Sequence, residues 1–250
     1  MLEVIYILCL RQLKHYWRSR SRLIGSLGRP LVFWVSFVFG FGPMYSKVSG
    51  GANYTDFLTP GIIAMAILFT AIISGLEVIW DRQVGFIKET LVAPISRAEI
   101  MIGKTFGGAI IAIIQGFIVL SMTYLLGFRI QSLGSLFLGL IFMFLIAIFF
   151  TGLGLTIASE LKDFQGFQMT MNFLIMPIFF LSGAIFPLQD LPAPIYLISR
   201  INPLTYGVDG LRGAIVGTST FGIYNDLAVI GTLSALICAI GIILFSKMEA

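Results

Sequence analysis

Six stretches of the chain carry no charged side chain, and each is about as long as a membrane-crossing helix. They lie between Arg29 and Lys47, Asp56 and Glu77, Lys104 and Arg129, Arg129 and Glu160, Asp163 and Asp190, and Asp226 and Lys247, spanning 17, 20, 24, 30, 26 and 20 residues by subtraction. A helix needs ~20 apolar residues to cross ~30 Å of hydrocarbon. An unpaired backbone polar group costs several kcal/mol in lipid, and the runs lack the alternation of a barrel strand, so helices are expected. The fold class that follows is all-α: a polytopic integral membrane protein with six transmembrane helices, near 29–45, 60–80, 104–126, 135–159, 167–186 and 227–245.

Once those spans are placed, little polar chain remains. Charged residues make up 11% of the 250, against ~25% in soluble domains. No soluble catalytic domain fits, so any energy source is expected on another chain. The net charge of +4 does not point to nucleic acid, because the basic residues flank the spans, where they set orientation and meet membrane lipids. Two cysteines, Cys9 and Cys238, and one histidine, His15, give neither a disulfide framework nor a metal site.

Even spans put both termini on one side, and counting basic residues then tests the orientation. With the termini inside, twelve basic residues fall on inner segments. The outer ones hold Lys47, Arg129, Arg200 and Arg212. Such a bias over short loops predicts cytoplasmic termini in the cell membrane. Residues 1–28 are expected to form an interfacial amphipathic helix, with Arg11, Lys14, His15, Arg18 and Arg22 on one face and Tyr6, Leu10, Leu13 and Trp17 on the other. The apolar stretch precedes its basic residues, the reverse of a cleavable signal. Residues 29–250 form the permease body.

Two connections carry pattern. The segment 81–103 reads D-R-Q-V-G-F-I-K-E-T-L-V-A-P-I-S-R-A-E-I-M-I-G-K with Lys104: a charged amphipathic stretch, a break at Pro94 and a cap at Ser96. Without a family match, Lys88 and Glu89 read as a solvated face. The segment 187–224 holds prolines at helix starts and an apolar face, which predicts short re-entrant helices in the outer leaflet. Gly103, Lys104 and Thr105 spell the end of a phosphate-binding loop, but Ala98 stands where its first glycine belongs. Lys104 is expected to anchor the third span at the inner interface.

Polar residues inside the spans are the remaining clue. Thr70, Ser74 and Glu77 follow at i, i+4 and i+7, and Gln165, Gln168 and Asn172 at i, i+3 and i+7, so each set shares a helix face. Helix packing through side-chain hydrogen bonds explains Thr70 and Ser74 as well as a substrate path does. An ion-gradient-driven secondary transporter or channel would place ionisable groups near the midplane, and the spans hold none there. A membrane-embedded enzyme would need convergent acid, base or metal ligands. The outer acids Asp190, Asp209 and Asp226 stand apart from any histidine or cysteine in sequence.

Three stretches together resemble the ABC transporter type-2 permease family, the transmembrane subunits of drug and polysaccharide exporters. They are the 81–104 segment with its L-V-A-P turn, L-S-G-A-I-F-P-L at 181–188 and I-N-P-L-T-Y-G-V-D-G-L-R-G at 201–213, in an order and topology that agree over nearly the whole chain. The resemblance implies a permease that pairs with a second copy of itself and with two copies of a separate ABC ATP-binding subunit. It implies alternating access that moves an amphipathic or lipid-linked substrate. No cofactor is expected on this chain, since ATP and Mg belong to the partner. The resemblance further assigns coupling to the ATPase to Gln83, Lys88, Glu89, Leu91 and Val92. It makes Thr70, Ser74, Gln168 and Asn172 candidates for the substrate path.

Overall fold

The computed structural model describes residues 2–48, 53–85, 95–161, 163–190 and 192–247. The chain is all-α there: α1 Leu2–Arg18, α2 Arg20–Val48, α3 Tyr54–Ile73, α4 Leu76–Gln83, α5 Arg97–Leu125, α6 Leu133–Glu160, α7 Phe164–Phe180, α8 Ala193–Ile201, α9 Pro203–Val216 and α10 Ile223–Lys247. Among the described residues five spans are long and apolar enough to cross a membrane: Gly25–Tyr45, Tyr54–Gln83, Arg97–Leu125, Leu133–Glu160 and Ile223–Ser246.

The helix expected over 167–186 stops early. α7 has 17 residues and ends at Phe180, below the length of the other five. The chain then turns at Gly183, whose φ of +74° a side chain would resist. The second span is longer than expected and is broken once, at Ser74 and Gly75, between α3 and α4. Ahead of the first span the helix break comes at Ser19. α1 ends at Arg18, and α2 runs from Arg20 through the first span with Pro30 and Pro43 inside it.

Glycines set how closely the helices approach. α5 carries Gly103 and Gly107 one turn apart, a small-xxx-small stripe of the kind that lets helix backbones meet in lipid. A Cβ at Gly103 would lie 3.3 Å from the Ile5 Cα, and one at Gly107 would lie 3.2 Å from the Cys9 Cα. α1 therefore docks on α5 through Leu8, Gln12 and Tyr16, all buried. Tyr6 and Trp17, on the apolar face expected to meet the membrane interface, are exposed. The face that packs on α5 is a second one, which the amphipathic period does not single out.

Toward the other side, α5 packs against α3 and α6 at Gly108 and Gly116, which face Ser74 with Thr151 and Ile67 with Met143. α6 is the hub, in contact with α3, α5, α9 and α10. The core is continuous from Leu58 to Ile72 on α3 through Phe142 to Phe150 on α6.

Candidate functional site

One end of the bundle gathers charge around Asp81. Its carboxylate accepts from Arg11 Nη2 of α1 at 2.8 Å and Nη1 at 3.3 Å, and from Lys104 Nζ of α5. Lys104 is 2% exposed and Asp81 7%. Lys104 is thus not the interfacial anchor expected from sequence but the buried partner of a carboxylate, which is how a lysine is held away from water. The neighbouring Arg82 donates to the carbonyls of Leu161 at 3.0 Å and Ser159 at 3.1 Å. These are carbonyls at the end of α6, where a cation also meets the negative pole of the helix.

The return strand of the same loop is tied as firmly. Ser96 and Glu99 form a reciprocal capping box at the start of α5, and Arg97 Nη1 donates to the carbonyl of Ser246 on α10 at 2.6 Å. The roots of the segment between Val84 and Ile95 are therefore wired to α1, α5, α6 and α10. Of the residues the resemblance assigns to coupling, Gln83 is exposed at the end of α4. Lys88, Glu89, Leu91 and Val92 lie outside the described residues.

The path candidates divide. Thr70 and Ser74 do share a face with Glu77, and all three line a cavity of about 40 Å³ with Tyr16, Ser26, Ile73 and Ile111. Ser74 is buried and donates to the Ala71 carbonyl against Gly108, as helix packing requires. Gln168 and Asn172 are exposed on α7. They flank Met169 and Phe173, 74% and 83% exposed, whereas Phe167, Met171, Ile175 and Phe179 face inward.

The opposite end is organised by residues of the I-N-P-L-T-Y-G-V-D-G-L-R-G stretch. Asn202 caps α9 by accepting from Leu204 N at 3.0 Å and donates to the Ile178 carbonyl at 2.6 Å. Arg212, counted above among the outer basic residues, is 6% exposed. It donates through Nε to the Phe57 carbonyl at 3.2 Å and through Nη2 to the Gly183 carbonyl at 2.9 Å, and its guanidinium lies 3.9 Å from the centre of the Phe57 ring. It thereby bolts α9 to α3 and to the turn after α7. Asp209 accepts from Thr220 N at 2.7 Å, Phe221 N at 2.8 Å and Ser219 Oγ at 3.1 Å. The Ser219 hydroxyl also reaches Asp226 at 3.3 Å. Asp209 and Asp226 are therefore neighbours, not the isolated acids their sequence separation suggests. Above them opens a cavity of about 470 Å³ whose walls include Tyr45, Asp56, Gln189 and Arg212. Among the described residues no group of three or more His, Cys, Asp or Glu side chains is arranged to hold a metal.

Comparison with known proteins gives the arrangement a family. Residues 3–216 match the ABC-2 type transporter family. The ycf38 protein of Cyanophora paradoxa, named as a transport permease, is 29% identical over 213 residues, covering 84% of this chain and 73% of its own. Nodulation protein J of Rhizobium leguminosarum bv. trifolii is 28% identical over 205 residues, 80% of this chain and 77% of its own. The inner membrane transport permease YadH of Escherichia coli K12 is 25% identical over 219 residues, 86% and 82% of the two chains. With a match that runs from α1 to the end of α9 and takes in Asp81, Lys104, Asn202 and Arg212, the chain belongs to the ABC-2 type transporter family and is a multi-pass membrane permease.

Proposed function

We propose that the chain is the membrane half of an ATP-driven exporter, working as two copies with two copies of a separate ATP-binding subunit. Alternating access then carries an amphipathic or lipid-linked substrate out across the cytoplasmic membrane. The observation that supports it best is the wiring around Asp81. A soluble partner that pushes on the loop between Val84 and Ile95 pushes on α1, α4, α5, α6 and α10 together, because Asp81, Arg82 and Arg97 join them. Packed helices joined in this way move as rigid bodies rather than flex locally.

The topology proposed with it has six spans and cytoplasmic termini. α7, with 17 residues, extends ~25 Å, and the turn and short helices after it complete the outer half of that crossing. The basic-residue bias places the Asp81 end inside. A second copy belongs beside α7, since Gln165, Gln168 and Asn172 are exposed there and polar side chains facing acyl chains are unfavourable. Gln168 and Asn172 then face the path between copies. Thr70 and Ser74 contribute one layer deeper, at the small cavity near Glu77.

Lys88 and Glu89 are the contacts proposed for the ATPase groove. Exchanging the two charges, Lys88→Glu with Glu89→Lys, is expected to lower transport per ATP hydrolysed by about tenfold or more, the loss of one or two partly desolvated ion pairs. Membrane insertion stays normal. Transport assays in vesicles alongside ATPase rates read the ratio directly. A double variant that binds its ATPase and transports at the normal rate moves coupling to another part of the loop.

A further inference from the structure

Where α9 gives way to α10, two acidic side chains are buried side by side. Asp209 is 2% exposed and Asp226 is fully enclosed. Oδ2 of Asp209 is satisfied by the backbone N–H groups of Thr220 and Phe221. Its Oδ1 and the Oδ1 of Asp226 are buried with no hydrogen-bond partner. The two carboxyl groups lie within hydrogen-bonding reach of one another, and both meet the Ser219 hydroxyl, at 3.1 and 3.3 Å. A hydroxyl has one hydrogen to give. It serves one carboxylate and turns a lone pair to the other, and two ionised carboxylates in such a place repel.

The charges give the same count. Arg212 Nη1 lies 4.0 Å from Asp209 Oδ1, too far for a hydrogen bond but close enough to balance one carboxylate. The other titratable side chains nearby are Tyr45 of α2 and Tyr54 and Asp56 of α3, and none supplies a second cation. Tyr224 of α10 is 90% exposed. α6 packs on both helices and carries no titratable side chain before Glu160 at its far end. The N-terminal pole of α10 favours an anion at Asp226, yet no N–H donates to its Oδ1. A metal ion calls for about six oxygens, and among the described residues no three His, Cys, Asp or Glu side chains converge. A proton needs two.

We propose that Asp209 and Asp226 bind a single proton between them, carried on Asp226 and donated to Asp209 directly or through the Ser219 hydroxyl. Ser219 accepts from Gly222 N at 2.8 Å, and its second lone pair remains for the Asp226 acid. Either route leaves Asp209 ionised beside Arg212 and Asp226 neutral. Ser219 is exposed and lines the cavity of about 470 Å³ with Thr220 and Arg212, so the proton exchanges with the medium to which that cavity opens. It fastens the first turn of α10 to α9, and its removal leaves two buried like charges at the cavity wall.

The test is infrared spectroscopy of the purified full-length chain in an ester-free detergent at neutral pH. Wild type minus Asp226→Asn is expected to show the C=O stretch of one protonated carboxyl, moving to lower frequency in D2O. A difference spectrum without that band, or with carboxylate bands in its place, overturns the proposal. Melting from mildly acid to mildly alkaline pH gives a second reading. Asp226→Asn offers an amide N–H in place of the acid O–H and cannot ionise. Unfolding of wild type frees the proton, so relative to the variant it is favoured about tenfold per pH unit until the folded chain gives the proton up. Parallel pH profiles for the two proteins refute the shared proton. Should Asp226→Asn fail to fold, Ser219→Ala, at an exposed position, decides the matter: the acid band must shift when its hydroxyl neighbour is lost, and an unmoved band refutes the site. Because the readout is a carboxyl and not transport, failure here leaves the exporter function untouched.

Discussion

Asp81→Ala is expected to destabilise the chain by about 3–5 kcal/mol, the range for stranding one member of a buried ion pair. Lys104, 2% exposed, then holds an uncompensated ammonium against apolar neighbours, with the Arg11 guanidinium close by. Removing both buried charges, Asp81→Leu with Lys104→Met, is expected to recover most of that loss, since a buried pair replaced by packed apolar groups is often neutral. Arg11 is more exposed and turns to the lipid interface. Thermal unfolding in detergent, followed by size-exclusion recovery, measures both variants. An Asp81→Ala protein that melts like wild type would remove the network from the list of things that hold the loop root.

The second large effect is expected at the break between α3 and α4. A Cβ on Gly75 would lie 2.4 Å from the Gly154 carbonyl oxygen, and a Cβ on Gly154 would lie 2.8 Å from the Ile72 carbonyl oxygen. Both obstacles are backbone, so no rotamer change relieves them. Overpacking ordinarily costs ~1–3 kcal/mol, and Gly75→Ala and Gly154→Ala are each expected at the upper end of that range or above. Both contacts fall in the one crossing between the α3–α4 break and α6, so a shared backbone shift should make the double variant cost less than the sum of the singles. Gly40→Ala is the control. It lies within α2 with nothing within 4 Å of the new methyl group, and relief of glycine's backbone entropy should leave it neutral or ~0.5–1 kcal/mol more stable.

The uncharged runs made the helices legible because lipid leaves the backbone so few options. Five of the six expected spans lie almost wholly within observed ones, and a pair of short helices follows Pro187 as expected. What the pattern did not carry was which face of each helix meets protein. In a soluble helix the apolar stripe marks the core, but in a membrane the lipid is as apolar as the core. α1 shows the result, since its buried stripe of Leu8, Gln12 and Tyr16 includes a glutamine while Trp17 faces out. The better signal is the pairing of Gly103 with Gly107, a spacing that the span pattern does not weigh. The burial of Lys104 and of Arg212 is not legible for a related reason. A basic residue beside a span reads as an interface anchor unless its acid partner is known. Asp81 lies 23 residues from Lys104, and the carbonyls that hold Arg212 lie 155 and 29 residues away. The neighbouring acids Asp209 and Asp226 became visible only when the turn at Gly217 to Gly222 folded Ser219 between them.

Composition of the working complex is the most direct test of the proposed exporter. The chain is expressed with its cognate ATP-binding subunit, purified through a tag on the permease alone and weighed intact, and the same preparation is reconstituted to measure ATP-dependent transport. Two permease chains with two ATP-binding chains, and transport that stops when ATP is withheld, are expected. A single permease chain that moves substrate with no ATP-binding partner present would contradict the proposal at its centre.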